Sequence, residues 1–201
     1  MSKIIITIDH DHDVDDPGDY DGWSVHSFST QHSNYKDPAD LGLDADGDPD
    51  CPDLLRKLKE GLAFRLSYFE HGQCMWSLQG TGPQCRWDNV QLAGLLIWEG
   101  ADDDIGATTV EDRQKDAASF LDQYTKWCNG YTFCYRSTKV RDCHACGQEE
   151  EVQELDGCGG FIGHEYLFEH IQENMDLDGE TVEFRGEAGG YLADYYKELV
   201  G

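Results

Sequence analysis

Cys143-His144-Ala145-Cys146-Gly147 is the stretch whose residue types and spacing speak most directly of chemistry. Two cysteines separated by two residues and followed by glycine make a knuckle whose thiolates can face one zinc ion. A closed structural site needs two more ligands, and the sequence has no second pair of this spacing. Cys134, Cys158 and His164 are the nearest candidates, so a structural zinc completed from among these residues is one reading and no cofactor is firmly expected. The alternative is a hairpin tip with two reduced thiols and no metal. A thioredoxin-like redox pair opens a helix after a strand, whereas this pair lies between two predicted strands.

A second constellation is His10-Asp11-His12, directly after an isoleucine-rich run. Metal-dependent hydrolases place such a pair at a strand end, where both imidazoles reach one metal. No third histidine follows nearby, and a solvated acidic loop explains the same residues. A third is Asp44–Asp53. Calcium loops put oxygen ligands at loop positions 1, 3 and 5, glycine at 6 and an acid at 12. Placing Gly47 sixth puts Gly42 first, where it cannot ligate, and starting at Asp44 puts Pro49 sixth. Both registers are incomplete, so a solvated loop is the stronger reading. There is no phosphate-binding glycine loop with lysine and no Gly-x-Ser-x-Gly elbow.

These residues must be held by the elements around them. Ile4–Ile8 is a β-branched run and predicts a strand, followed by an acidic loop from Asp9 to Gly22. Trp23–Phe28 predicts a second strand. Leu54, Leu55, Leu58 and Leu62 have helical spacing behind Pro52. Phe64, Leu66 and Tyr68 alternate, as do Cys74, Trp76 and Leu78, with His71-Gly72 between them, which predicts a hairpin. Leu92–Trp98 reads as a central strand buried on both faces. Thr109 with Asp112 begins a helix whose apolar face is Ala117, Phe120, Leu121, Tyr124, Trp127 and Cys128, and Asn129-Gly130 ends it. Tyr131, Phe133 and Tyr135 then pair with a strand around Val152 and Leu155 through the cysteine-bearing tip. A helix over Leu167–Met175, a short edge strand over Thr181–Phe184 and a last helix through Tyr191, Leu192, Tyr195, Tyr196 and Leu199 complete the chain. Strands and helices mix without regular alternation. The expected class is therefore α+β, with a mixed, mainly antiparallel sheet, about four helices and an acidic N-terminal arm.

Charge dominates the composition. Among 201 residues, 41 Asp and Glu face 15 Lys and Arg, a formal net charge of −26. Residues 1–53 carry a net −12, residues 54–98 a net +2 and residues 99–201 a net −16. The expected organisation is one compact domain, with the acidic 1–53 region packed on a 54–201 core that carries the hairpin near 131–163. Such a chain is not expected to bind nucleic acid directly, because that affinity comes from cations displacing counterions. Anionic membranes are disfavoured for the same reason. No run approaches ~20 apolar residues, and Met1–Asp9 does not have the form of a signal peptide, so reduced thiols and a cytoplasmic location are expected. Disorder is not expected, because ten Tyr, eight Phe and five Trp supply area to bury.

Several stretches are familiar as a set: Leu66-Ser67-Tyr68-Phe69-Glu70-His71-Gly72, Trp76-Ser77-Leu78, Gln84-Cys85-Arg86-Trp87-Asp88, Tyr124-Thr125-Lys126-Trp127-Cys128-Asn129-Gly130, and Asp156-Gly157-Cys158-Gly159-Gly160-Phe161-Ile162-Gly163. Over roughly residues 60–165 the chain resembles uncharacterised proteins of bacteriophages, notably phages of actinobacteria, and of mobile elements. The resemblance implies expression in the cytoplasm of a bacterial host. It carries no established activity, so it transfers no catalytic residues.

The resulting expectation is a non-enzymatic inhibitor that sequesters a host nucleic-acid-binding protein through its basic surface, by DNA mimicry. Homo-oligomerisation stays open. The residues expected to make contact are Asp9, Asp11, Asp13, Asp15, Asp16, Asp19, Asp21, Asp44, Asp46, Asp48, Asp50, Asp102, Asp103, Asp104, Glu149, Glu150, Glu151 and Glu154. Two rivals stand beside it: a metal-dependent hydrolase using His10 and His12, and a structural component whose acidity serves solubility.

Overall fold

The computed structural model describes residues 2–83, 85, 87–102 and 104–200, with residues 197–200 described by backbone alone. Its elements are β1 (Ser2–His10), α1 (Gly18–Asp21), β2 (Trp23–Ser27), α2 (Pro52–Glu60), β3 (Ala63–Glu70), β4 (Cys74–Leu78), β5 (Asn89–Trp98), α3 (Val110–Cys128), β6 (Thr132–Asp142), β7 (Glu149–Ile162), α4 (His164–Asn174), β8 (Val182–Arg185) and α5 (Gly189–Val200). The class is α+β as expected, with two four-stranded sheets rather than one.

Contacts divide the chain into residues 1–15 with 130–201, and residues 16–129. This differs from the expected organisation of a 1–53 arm on a 54–201 core. The cause lies in β1. Ile4, Ile6 and Ile8 alternate onto one face and need a hydrophobic cover. They find it with Phe133, Tyr135, Leu167, Phe168, Ile171, Ala188 and Leu192, all from the last third of the chain.

In this first unit the strand order is β7-β6-β1-β8. β1 runs antiparallel to β6 and parallel to β8, so the sheet is mixed. Helices α4 and α5 supply the apolar side chains that cover it, from Leu167, Phe168 and Ile171 on one and Leu192 on the other. β7 is an edge strand, exposed along nearly its whole length. Val152 and Leu155, expected on a partner strand, lie on it and are exposed. Its pairing with β6 shifts register at three places. Bulges and charges on an edge discourage pairing with other chains.

The second unit is all antiparallel, in the order β2-β5-β3-β4. β5 is buried on both faces from Ala93 to Trp98, as its unbroken apolar run predicts. One face packs Trp23, Leu66, Trp76, Leu96 and Trp98 against Ala117, Phe120, Leu121 and Tyr124 of α3. The opposite face buries Leu95 and Ile97 with Leu43 and Leu54. The hairpin forms in the expected register, with Leu66 opposite Leu78 and Tyr68 opposite Trp76. Thr109 caps α3 by accepting from the Asp112 amide at 3.1 Å.

β4 pairs with β3 on one side, and α3 satisfies its other edge with side chains. Asn129 Oδ1 accepts from the Cys74 amide at 2.9 Å, and its Nδ2 donates to the Cys74 carbonyl at 2.8 Å. Thr125 Oγ1 accepts from the Trp76 amide at 3.0 Å. Side chains here complete hydrogen bonds that another strand would otherwise make.

Two predictions follow from these contacts. Asn129→Ala strips both Cys74 backbone groups of their partners and is expected to cost about 1–3 kcal/mol. All five tryptophans lie within residues 16–129, so denaturation followed by tryptophan fluorescence reports this unit directly. In the first unit, Arg185 and then Lys3 pull the Glu183 carboxyl down to about 2, and Lys3 and then Arg185 lower Glu149. A depressed carboxyl stabilises the fold above its unfolded value, near 4.5, and that contribution fades as pH falls toward 2. The effect should be small because these pairs are partly exposed. Glu183→Gln should flatten the acid response of β8 amide-exchange protection between those pH values, and an unaltered response would refute the assignment.

Candidate functional site

The pocket richest in chemically active groups lies in the 16–129 unit, where sequence reasoning placed no site. It encloses about 560 Å³ between the 31–34 loop, the β3–β4 hairpin and the end of α3. Its walls include His32, Tyr68, Trp76, Tyr124 and Trp127, with Glu70, Cys74 and Cys128 at hand. His32 meets Tyr68 edge-on at 4.9 Å between centroids, and Tyr68 leans on Trp76 at 4.7 Å. Ser27 Oγ and His32 Nδ1 lie 2.7 Å apart, which fixes the ring. Asn34 Nδ2 donates to the Tyr124 hydroxyl at 2.9 Å and to the Val25 carbonyl at 2.8 Å. The Tyr68 hydroxyl donates to Glu70 at 2.9 Å. Burial raises both phenols above their ordinary range, so they act as neutral hydrogen-bonding groups.

Cys74 and Cys128 form the reactive part. Asn129 pins the backbone of Cys74 to the end of α3, which brings the two thiols together. The Cys128 thiol donates to Cys74 and lowers it below the ordinary thiol range, with help from Asn129. The same contact, and then burial, hold the proton on Cys128. The shift favours the Cys74 sulfur over Cys128 as the one that ionises first, against burial and the Glu70 charge, which oppose it. The aromatic faces and Glu70 suit a cationic or planar ligand group. No sequence motif announces this site, because its walls come from separated segments. The available signal was the hairpin register, which sets Cys74 opposite Glu70.

The expected acidic contact set is divided by the fold. Asp9, Asp11, Asp13 and Asp15 belong to one unit, and Asp16, Asp19 and Asp21 to the other. Several of these carboxylates hold their own loops. Asp9 accepts from the Glu187 amide at 2.8 Å, beside Gly186 at φ +91°, where a Cβ would lie 2.6 Å from Asp9 Oδ1. Asp11 accepts from the Gly160 amide at 2.9 Å, and a Cβ on Gly159 would lie 2.6 Å from that carboxylate. This approach gives the glycine run of β7 its physical reason. Asp16 accepts from the Gly18 amide at 2.8 Å, and burial raises its carboxyl. Burial and then Asp116 raise Asp21 as well.

Asp44 accepts from the amides of Asp46 and Asp48, each at 2.9 Å, while Asp53 pairs with Arg56 at 3.1 Å. The two ends of the calcium-loop alignment therefore turn to different partners. Asp48 lies 3.3 Å from Arg65 and Asp102 lies 2.8 Å from Arg56. Asp103 lies outside the described residues. On β7, Glu149 pairs with Lys3 and Arg185, Glu150 with Arg141, and Glu151 and Glu154 with Arg136. Asp13, Asp15, Asp19, Asp46, Asp50 and Asp104 are exposed and carry no ion pair among the described residues.

His10 and His12 stack with ring centroids 6.4 Å apart, and His10 also contacts Phe133. Among the described residues no three His, Cys, Asp or Glu side chains gather as a metal group. The further zinc ligands expected for Cys143 and Cys146 are misplaced. Tyr135 pairs with Cys158 seven residues down from the Asp142–Glu149 end of the hairpin, which at ~3.3 Å per residue is roughly 23 Å away. Cys134 lies one residue further from the tip, opposite Asp9, and His164 follows the far end of β7. No described helix is long and apolar enough to cross a membrane.

No family model, curated protein or solved structure matches the chain.

The thiol pair makes a direct prediction. Under reducing conditions, iodoacetamide should modify Cys74 before Cys128, as read by peptide mass mapping. Cys128→Ala removes the donor and should move the pH midpoint of Cys74 alkylation upward. Equal rates at the two thiols, or an unmoved midpoint, would contradict the assignment.

Proposed function

We propose that this chain is a non-enzymatic acidic binding protein. Its partner would be a host nucleic-acid-binding protein with a basic surface, which it would sequester from nucleic acid in a bacterial cytoplasm. The observation that carries the reading is where the cations go. Lys3, Arg56, Arg65, Lys115, Lys126, Arg136, Lys139, Arg141 and Arg185 each lie in an ion pair. Arg113 and Lys57 donate to backbone carbonyls. The surplus carboxylates are left facing solvent, and both units share the surplus. Residues 1–15 with 130–201 hold 20 acids and six bases, a net of −14, and residues 16–129 hold 21 and nine, a net of −12.

A surface of one sign steers an oppositely charged partner and speeds its association at low salt. The groups best placed for this are the exposed, unpaired Asp13, Asp15, Asp19, Asp46, Asp50 and Asp104. The glutamates of β7 contribute less. Their ion pairs are exposed and individually weak, and their charges also guard a free sheet edge.

The test is capture from bacterial lysate on the tagged chain with elution by rising salt. The recovered protein is then assayed for nucleic-acid binding with and without the chain. A basic nucleic-acid-binding protein should be recovered, and the chain should displace its nucleic acid. Asp46→Lys combined with Asp50→Lys should weaken that displacement about tenfold, roughly 1.4 kcal/mol, and shallow its salt dependence. A partner whose binding ignores both salt and charge reversal would overturn the proposal, as would one that keeps its nucleic acid.

A further inference from the structure

β6 and β7 are closed by the turn Asp142–Gln148, which carries the Cys-x-x-Cys-Gly knuckle. The Cys143 amide donates to the Gln148 carbonyl at 2.8 Å, and the Gly147 amide donates to the Cys143 carbonyl at 2.8 Å. Gly147 takes φ +71°, a left-handed turn that a side chain would strain. The resulting loop carries both thiols of the knuckle on one short turn, and deprotonated thiols are the form that binds a metal. Cys146 is exposed and Cys143 partly so, and neither forms a disulfide within the chain. The tip is held firmly from behind. Arg141 lies opposite Ser2 in the sheet, and Lys3 and Arg185 both grip Glu149.

This is half of a tetrahedral thiolate site. Zinc in a structural site takes four protein ligands. No third donor joins the two sulfurs among the described residues, and Cys134 and Cys158 sit roughly 23 Å or more down the same strands. A rigid pair of sheet strands cannot fold back to supply them. An isologous contact with a second copy would supply an identical pair by two-fold symmetry.

We propose that two copies of this chain join tip to tip through one zinc ion held by Cys143 and Cys146 of each copy. Zn²⁺ bound to four thiolates is a dianion, and each thiol that enters it gives its proton to solvent. The contact is small, so the metal provides most of the attraction. Net charge opposes it, since each copy carries −26. At 0.15 M salt the screening length is about 8 Å, which confines the repulsion mainly to charges near the tip. There Arg141 already lies against Glu150, and Lys3 and Arg185 against Glu149. Dimerisation should therefore strengthen with added sodium chloride, opposite to the salt response of the acidic partner contact. The two proposals stand or fall separately.

The test uses the full chain, kept reduced, stripped with a chelator and titrated with zinc chloride while mass is read by light scattering. The expected result is a doubling of mass that saturates at one zinc per two chains and reverses with chelator. Cobalt in place of zinc should give the intense thiolate charge-transfer absorption of a four-sulfur site. Cys143→Ser with Cys146→Ser should abolish both signals while leaving the circular dichroism unchanged. Cys134→Ser with Cys158→Ser should leave both intact. One zinc per monomer would overturn the proposal, and so would no zinc uptake by the folded chain. A dimer that survives chelation, or a cobalt spectrum that needs Cys134 or Cys158, would do the same.

Discussion

The arrangement of the molecule depends on how one isoleucine strand is buried. Ile4, Ile6 and Ile8 have no apolar cover among the residues that follow them, which run into aspartate after aspartate. Their cover comes from Phe133 and Tyr135 on β6 and from α4 and α5. β1 is therefore an interior strand of a sheet built from both ends of the chain, with 16–129 left to form its own unit. The same pairing fixes the hairpin tip, because β1 supports β6 from Phe133 to Arg141. It also decides the fate of the N-terminal aspartates. Asp9 and Asp11 emerge at the end of β1 and are taken up as acceptors for the amides of Glu187 and Gly160.

Acidity in this protein is thus several things at once. Some carboxylates are loop fasteners, some are partners for nine of the fifteen lysines and arginines, and some guard an exposed edge strand. In the proposed binding role the remainder would supply most of the charge presented to a partner. A count of acids along the sequence cannot separate these uses, because they differ in what lies within 3 Å of each oxygen. The distinction changes the proposed contact surface from eighteen residues of equal standing to the short set left unpaired.

The 16–129 unit shows a comparable economy in its backbone. β4 has strand pairing on one side only, and Asn129 and Thr125 of α3 complete the other side. An asparagine that reads in sequence as the end of a helix is also what fastens helix to sheet. The fastening sets Cys74 against the end of α3, where it and Cys128 line the aromatic pocket. Structure and reactivity at this site share the same hydrogen bonds.

Local sequence determined a good deal. The unbroken apolar run of β5, the alternation and turn of the β3–β4 hairpin, and the Thr109 cap with its Asn129-Gly130 stop all act between near neighbours, so their residues specify them directly. The knuckle at Cys143 and Cys146 was legible for the same reason, since the six consecutive residues 143–148 contain the whole turn. Tertiary structure alone decided the rest. It chose the strands that flank β1 and the residues that wall the thiol pocket. It carried Cys134 and Cys158 out of reach of the tip, and it gave each aspartate its task. Several of those outcomes depend on pairings between residues more than a hundred positions apart, such as Asp11 with Gly160 and Ile8 with Tyr135. Burial of the whole chain sets such pairings, and no local pattern encodes them.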